Sequence, residues 1–281
     1  MNFTLGEGFG DLGPLEWGPA KIFANIINSI HMDINATANA AFRAVTLNAA
    51  NLADSIKSSN ATLKKINPTI AKASVVLSKN GWWIVGTIPI SFYYKIIEME
   101  EQISSEDITR IIVEYINLDN HKRLNDIVHR WNVEPFRRRR EIFDQALWAH
   151  TNEKYALTTP TLIIHVEGII REFVEAHDKF TSWRTDRVLA KFKERFTQIQ
   201  GSEEKPEIEF EELEAILNYY NLKALNKLYS DHSPERHTEP DDINRNAISH
   251  GRWTSYANLE ISTKMFLLID MLHSMIHQLQ N

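Results

Sequence analysis

Apolar residues along this chain recur mostly at steps of three and four, which is the spacing of one face of a helix. The longest series starts at Ile22 and ends at Leu63, and it predicts one long helix, or two in line, over about residues 20–66. Alanine and asparagine fill its middle, which suits close helix packing better than a self-standing coiled coil. This pattern favours an arm packed on its own domain, with oligomerisation or contact with a partner as the alternative.

Two further segments lie between this arm and the middle of the chain. The apolar run from Trp82 to Tyr94 is interrupted by a glycine and a proline, so it predicts a buried irregular segment or a short strand. Ser105 is followed by two acidic residues, which is typical of a helix start. A second short helix is expected to follow it and to end near Trp131.

The C-terminal half carries helix signals of its own. Thr159 as N-cap and Pro160 as first helical residue predict a helix that runs to about residue 177. Another amphipathic helix is predicted over about residues 185–199. The last helix, from about Ser255 to Gln280, is apolar nearly all round, so we expect it to be a core element.

These elements predict an all-α fold, and composition agrees, because only 10 Gly and 9 Pro occur among 281 residues. Five of those glycines lie near the beginning. We therefore expect a Gly-rich flexible start at residues 1–18 and a helical region of unknown role at residues 19–131. Pro135 then marks the entry to a helical domain over residues 132–281.

Charge and cysteine content narrow the function classes. The formal charge of -6 excludes the strongly basic footprint of a dedicated duplex binder, although local basic patches remain open. The chain contains 0 Cys, which excludes disulfides and thiolate chemistry and fits a reducing cytoplasm. No apolar stretch has the length of a membrane span and the start does not resemble a signal peptide, so we expect a cytoplasmic protein.

Three polar residues just before the last helix can carry chemistry. In helical geometry Asn246 and His250 share a face, Arg245 lies beside them, and Gly251 can end the helix. An imidazole exchanges protons at neutral pH, a guanidinium binds phosphate through two parallel hydrogen bonds, and a side-chain amide can orient either group. Together they can cleave a phosphodiester without a metal; a plain helix end with a basic residue is the alternative.

The pattern Arg-Asn-x-x-x-His-Gly ahead of a strongly apolar last helix resembles the signature of the HEPN superfamily, in which four to six residues separate Arg and His. An arginine-rich helix, the segment Lys154–Pro160 and a helix carrying Glu167-Gly168 also resemble bacterial members. The resemblance covers about residues 136–281. One branch of the superfamily is regulated by a neighbouring nucleotidyltransferase and has a tyrosine two residues after the motif histidine. This chain differs from that branch, because Arg252 stands at that position.

The resemblance implies a helical bundle that pairs about a two-fold axis, so that two motifs face one cleft. It implies a metal-independent RNA endonuclease of toxin or anti-phage defence type, or else an inactive module that binds a nucleotide, RNA or a protein partner. In the active form Arg245 would bind the scissile phosphate, His250 would move the proton and Asn246 would orient the site. RNA, a second copy of the chain and an antitoxin or sensor protein are the implied partners.

Glu167 is a fourth candidate on physical grounds. It lies in an apolar helical stripe with Ile163, Ile170 and Val174, where a buried carboxylate must find a partner or lose its charge. We expect Arg245 to be this partner. The alternative is a glutamate at the edge of the stripe that reaches solvent.

A run of four arginines predicts a surface that follows RNA phosphates, or else a solvated helix start. Trp131 and Trp148 lie nearby and could stack on bases. At least one or two of the arginines must face solvent, because the run covers one helical turn. The run consists of Arg137, Arg138, Arg139 and Arg140.

No metal or other cofactor is expected. His232 and His237 stand among acidic residues, and His273 and His277 have helical spacing, but neither set has a third ligand at a recognised spacing. The glycine-rich start lacks the strand and helix that a phosphate-binding loop needs.

Overall fold

A computed structural model describes residues 68–178, 184–197, 210–230 and 242–280. These ranges contain helices and turns and no strand, which confirms the all-α prediction. The predicted helix over residues 20–66 and the Gly-rich start lie outside them. The helices are α1 (68–79), α2 (Ile90–Met99), α3 (Ser105–His129), α4 (Arg140–Thr151), α5 (Tyr155–His177), α6 (Thr185–Thr197), α7 (Phe210–Leu228), α8 (Arg245–Ser249) and α9 (Leu259–Gln280).

The last helix, α9, forms the centre of the core, as its all-round apolar pattern predicts. Its side chains from Ile261 to His273 are buried without interruption, and it packs against α5 and α3. The helix begins at Leu259, four residues after the predicted Ser255. Asn258 explains this start, because its side-chain oxygen accepts the Ile261 N–H at 2.9 Å and caps the first turn.

Helix α3 begins at the predicted residue. A break divides it into two helical parts, and the second part occupies the place of the expected second helix. The Ser104 hydroxyl accepts the Asp107 N–H at 3.1 Å, while the Asp107 carboxylate accepts the Ser104 N–H at 3.2 Å. The break starts at Leu118, and the next three residues, up to His121, have left-handed backbone angles. The part beyond the break ends at His129, two residues before the predicted Trp131.

Helix α5 begins earlier than predicted. Its first residue is Tyr155, so the assignment of Thr159 as N-cap is wrong and Pro160 lies inside the helix. Thr158 and Thr159 are fully buried, and the Thr158 hydroxyl donates to the Ala146 carbonyl at 3.3 Å. Packing against α4 therefore extends the helix by one turn at its start, although Pro160 cannot donate a backbone hydrogen bond.

Residues 82–89, before α2, are irregular and mostly buried, as predicted, whereas residues 90–94 of the predicted irregular segment belong to α2. The Trp82 indole donates to the Thr109 hydroxyl at 3.0 Å, and the Trp83 indole donates to the Leu267 carbonyl at 3.2 Å. The Tyr93 hydroxyl both accepts from and donates to the backbone of Val85, at 2.9 Å each. The Tyr93 hydroxyl thus satisfies the backbone N–H and C=O of Val85, which a strand would have paired.

Side chains from both sides of residue 132 share one core. Trp131 is fully buried, its ring lies 5.0 Å from that of Phe143 and 6.3 Å from that of Phe266, and its indole donates to Asp270 at 2.9 Å. Burial raises the pKa of Asp270 to about 6. The domain boundary near residue 132 stays a prediction, and the two regions are packed together.

Among the described helices, none is long and apolar enough to cross a membrane.

A buried histidine connects α4 with the break in α3. His150 is fully buried; one ring nitrogen lies 2.7 Å from the Asn117 side-chain oxygen and the other 2.7 Å from the Ser262 hydroxyl. The amide oxygen can only accept, so the ring donates to Asn117 and accepts from Ser262. Burial, with a smaller contribution from His121, lowers the pKa of His150 to about 3, and the ring stays neutral.

This neutral histidine makes the fold sensitive to acid. Below the ordinary pKa of about 6.5, the unfolded chain binds a proton at His150 that the folded chain cannot bind, so stability falls as the pH falls. We expect the wild type to lose about 1 kcal/mol more of unfolding free energy than His150→Gln between about pH 7 and about pH 5.5. Urea unfolding at both pH values measures this difference.

The control variant is His129→Gln, since His129 is exposed on α3. It should retain the pH dependence of the wild type. An identical pH dependence for His150→Gln and the wild type would show that His150 takes up its proton in the folded state.

Candidate functional site

The predicted motif lies on the short helix α8, whose two ends are fixed by local hydrogen bonds. At its start, the Asn244 side chain accepts the Ala247 N–H at 2.9 Å and donates to the Ser230 carbonyl at 3.0 Å. At its end, Gly251 has a φ of 66°, and the Arg252 N–H donates to the Ala247 carbonyl at 2.8 Å. This is the Schellman arrangement, so the prediction that Gly251 ends the helix is confirmed.

Arg245, at the start of α8, pairs with Glu167 on α5. Its Nη2 lies 2.8 Å from Glu167 Oε2, which confirms the predicted partner of this carboxylate. The side chains of Arg245 and Glu167 are 31% and 21% exposed, so the pair lies at the edge of the core and still meets solvent. Arg245 can therefore reach a ligand.

Glu167 binds three groups with its two oxygens. Oε1 accepts from the Thr185 hydroxyl at 2.8 Å and from the Arg171 guanidinium at 3.3 Å, while Oε2 accepts from Arg245. Two guanidinium groups thus share one carboxylate. The guanidinium group is the side chain that binds a phosphate through parallel hydrogen bonds.

The other two motif residues extend this cluster along α8. Asn246 accepts from Arg245 Nη1 at 3.2 Å and donates to the Ser230 carbonyl at 3.4 Å, so its amide is oriented by both neighbours. His250 follows the last helical residue, and its backbone N–H donates to the Asn246 carbonyl at 3.0 Å. Its side chain is exposed. The structure therefore brings Arg245 and Asn246 into contact and leaves the imidazole accessible one turn away.

Tyr229 is a residue that the sequence pattern does not reveal. Its hydroxyl is enclosed and has no hydrogen-bond partner among the described residues. Burial raises its pKa, Glu167 raises it further, and Arg245 and Arg171 lower it. This phenol therefore lies within electrostatic reach of the Glu167 cluster, and a tyrosine at the end of α7 carries no periodic signal that could have predicted it.

The four arginines do not form one surface. Arg139 is almost fully buried, where Nη1 donates to the Pro135 carbonyl at 2.8 Å and Nη2 pairs with Glu172. Gly168 makes room for it, because a Cβ there would lie 2.9 Å from Arg139 Nη2. Arg140 donates to the Val128 carbonyl at 2.7 Å. Arg139 and Arg140 thus have structural roles in this fold.

Arg137 and Arg138 remain exposed and are the members of the run that can meet a ligand. Arg138 pairs with Glu172 at 2.9 Å, and Arg137 pairs with Glu134 at 3.0 Å. Glu172 and Glu167 are five residues apart on α5, so they lie about 140° apart around its axis. The exposed arginines and the motif therefore lie on different sides of α5.

The two tryptophans expected beside the arginines differ in exposure. Trp131 is fully buried in the core, so the prediction that it could stack on bases is wrong. Trp148 is 61% exposed and lines a shallow hollow together with Arg137 and Arg138. Arg140, Glu141 and Asp144 also line this hollow, so it combines three cations and two carboxylates with one aromatic face.

Of the histidine pair on α9, His273 is buried in the core and His277 is exposed. The rings of His273 and His277 are stacked 5.8 Å apart, and burial lowers the pKa of His273 to about 4. Among the described residues no group of three or more His, Asp or Glu side chains is placed to hold a metal ion. His232 and His237 lie outside those residues.

Comparison of the chain with protein-family models, curated proteins and solved structures finds no match. The HEPN resemblance therefore stays a prediction that rests on the motif and its helical context.

Removing the shared carboxylate should destabilise the fold. Glu167→Ala leaves two guanidinium groups and one hydroxyl without their acceptor, so we expect a loss of about 1–2 kcal/mol of unfolding free energy. Urea unfolding near pH 7 measures it. The control is Glu175→Ala, an exposed glutamate on the same helix, for which the change should stay within about 0.5 kcal/mol. Equal stabilities of both variants would mean that the Glu167 cluster does not stabilise the fold.

Proposed function

We propose that this protein is a metal-independent RNA endonuclease of HEPN type that acts as a toxin or an anti-phage defence effector. The observation that carries the proposal is the pairing of Arg245 with Glu167 at 2.8 Å, which holds a partly exposed guanidinium beside Asn246. A guanidinium fixed in this way presents its remaining N–H groups in a defined direction. The motif residues have the types that phosphodiester cleavage requires.

The reaction would use the 2′-hydroxyl of the RNA as nucleophile. His250 accepts the proton of this hydroxyl, the 2′-oxygen bonds to phosphorus, and the bond to the 5′-oxygen breaks. The leaving oxygen takes a proton, which an imidazolium can supply. Arg245 stabilises the charge on the phosphorane, and Asn246 orients Arg245. The products are a 2′,3′-cyclic phosphate and a 5′-hydroxyl.

A homodimer would supply the second imidazole. Two large apolar side chains of α5, Leu157 and Ile164, are 61% and 65% exposed. They are seven residues apart, and Arg171 follows at the same spacing, so all three lie along one face of the helix. This face would place a second copy of the chain beside the Glu167 cluster, and a two-fold axis would then bring both motifs to one cleft.

A second candidate function is an inactive module that binds a nucleotide, RNA or a protein partner. The observation that favours it is that Arg245 already donates to both Glu167 and Asn246. An arginine held in this way can serve the fold alone. An antitoxin or sensor protein would be a partner in either case.

Substitution of the motif should abolish cleavage. We expect Arg245→Ala and His250→Ala each to lower the rate by about 100-fold or more, because they remove charge stabilisation and proton transfer. Labelled cellular RNA, incubated with each protein in the presence of a chelator and separated on a denaturing gel, measures it. The wild type should leave 2′,3′-cyclic phosphate ends.

The matched control is His129→Ala, which removes an exposed histidine from α3 and should cleave like the wild type. Cleavage that stops when the chelator is added would contradict the 2′-hydroxyl mechanism. Expression that is as harmless for the wild type as for His250→Ala would favour the inactive module.

The exposed arginines should contribute to RNA binding through phosphate contacts. The double variant Arg137→Ala and Arg138→Ala removes two such contacts, so the slope of log affinity against log salt should decrease by about 1.4. Fluorescence anisotropy of labelled single-stranded RNA at several salt concentrations measures this slope. The control, Lys79→Ala with Lys122→Ala, removes two exposed cations elsewhere. An equal decrease in both double variants would argue for general attraction by the whole surface.

A further inference from the structure

The end of α7 lies directly beside the motif helix. The Ser230 carbonyl accepts from the side chains of Asn244 and Asn246, at 3.0 and 3.4 Å. Asn246 in turn accepts from Arg245 Nη1 at 3.2 Å. On the other side, the Ser230 hydroxyl donates to the Lys227 carbonyl at 2.8 Å. A continuous series of hydrogen bonds therefore leads from the guanidinium of Arg245 to the last turn of α7, which carries Lys227.

Lys227 is also tied to the residues that lead into α8. Its ammonium group lies 3.5 Å from Asp242 Oδ2. Asp242 stands three residues before Arg245, so the Cα atoms of these two residues are at most about 11 Å apart. The side chains of Lys227 and Arg245 are 46% and 31% exposed. Two cations that both reach solvent therefore lie within one small region of the protein.

Asp242 pairs with two lysines that differ in burial. The second is Lys264 on α9, whose ammonium lies 3.4 Å from Asp242 Oδ1 and 2.9 Å from Glu260. Its side chain is only 5% exposed, so it cannot turn to solvent. Asp242 also accepts the Ile243 N–H at 2.8 Å. If Lys227 turned away, the carboxylate would keep both of these partners, and the release of an exposed lysine from such a pair costs little.

Lys223 extends this positive region along α7. It stands one turn before Lys227, and side chains four residues apart share one face of a helix. Both lysines are exposed, and both line one crevice together with Asp242. The solvent-facing side of α7 thus presents two ammonium groups next to the motif.

We infer that Lys227 and Lys223 bind the phosphates that follow the scissile one, so that the RNA strand leaves Arg245 along the exposed face of α7. Lys227 exchanges Asp242 for a phosphate oxygen, and Lys223 binds the phosphate beyond it. The inference rests on the proposed function, because that function brings the RNA strand to Arg245. It assigns the nearest part of the strand to α7, since the exposed arginines lie on a different side of α5.

The first test compares two substrates of different length. A dinucleotide with one phosphodiester has only the scissile phosphate, so it does not reach α7, whereas a longer oligonucleotide does. The double variant Lys223→Ala with Lys227→Ala should raise KM for the oligonucleotide about tenfold or more and leave kcat unchanged. For the dinucleotide, kcat/KM should stay within about twofold of the wild type. An equal loss for both substrates overturns the inference, because it would reflect damage to the site itself.

The second test measures binding of a 2′-O-methylated RNA oligonucleotide, which cannot be cleaved by 2′-hydroxyl attack. The slope of log affinity against log salt should decrease by about 0.7 in Lys227→Ala and by about 1.4 in the double variant. Fluorescence anisotropy at several salt concentrations measures this slope. Lys227→Arg keeps the charge, so its slope should equal that of the wild type. An unchanged slope in the double variant overturns the inference.

The matched control is Lys72→Ala with Lys122→Ala, which removes two exposed lysines from α1 and α3. Its slope and its KM should equal those of the wild type. A decrease in slope as large as that of the α7 double variant would overturn the inference, because the whole surface would then attract RNA equally.

The outcomes separate the inference from the proposed function. RNA binding that depends on Lys227, by a wild type that does not cleave unmodified RNA, supports the α7 path and overturns the nuclease proposal. Cleavage that is lost in Arg245→Ala and unchanged in the α7 double variant overturns the α7 path and leaves the nuclease proposal standing. A wild type that neither binds nor cleaves RNA overturns both.

Discussion

The carboxylate of Glu167 is the interaction on which the site depends. It connects α5, on which it lies, with α6 through Thr185 and with α8 through Arg245. Helix α8 has only five residues, too few for a helix to be stable by itself. Its position therefore depends on this pair, on the Asn244 and Gly251 caps and on the hydrogen bonds to Ser230. The direction of the motif side chains follows from contacts made outside the motif.

Paired polar groups also connect the helices of the core. Polar groups that enter it are paired with groups far away in sequence: Trp131 with Asp270, and His150 with Asn117 and Ser262. These pairs connect the region before residue 132 to α4 and α9. A buried group of this kind is costly without its partner, so these pairs help to select one packing of the helices.

The sequence predicts those parts of the structure that local physics determines. The apolar pattern of α9 and the acidic residues after Ser105 are sufficient for the core helix and for the start of α3. Glu167 could be paired with Arg245 in advance, because a carboxylate in an apolar stripe needs a cation. Other features depend on tertiary contacts. The early start of α5 follows from the burial of Thr158, and Arg139 is buried because Gly168 leaves space for it. The spacing of apolar residues in the sequence gives no indication of either contact.

The central position of α9 affects when the site can assemble during synthesis. During synthesis, α1 to α8 leave the ribosome before α9, so the part of α5 that packs on α9 stays uncovered until α9 has emerged, although α4 and α6 also pack on α5. The helix that carries Glu167 is seated only at that point, and the guanidinium of Arg245 receives its fixed direction afterwards. The packing around the Glu167 cluster is therefore incomplete until α9 has emerged, and the motif has no assembled site before that point.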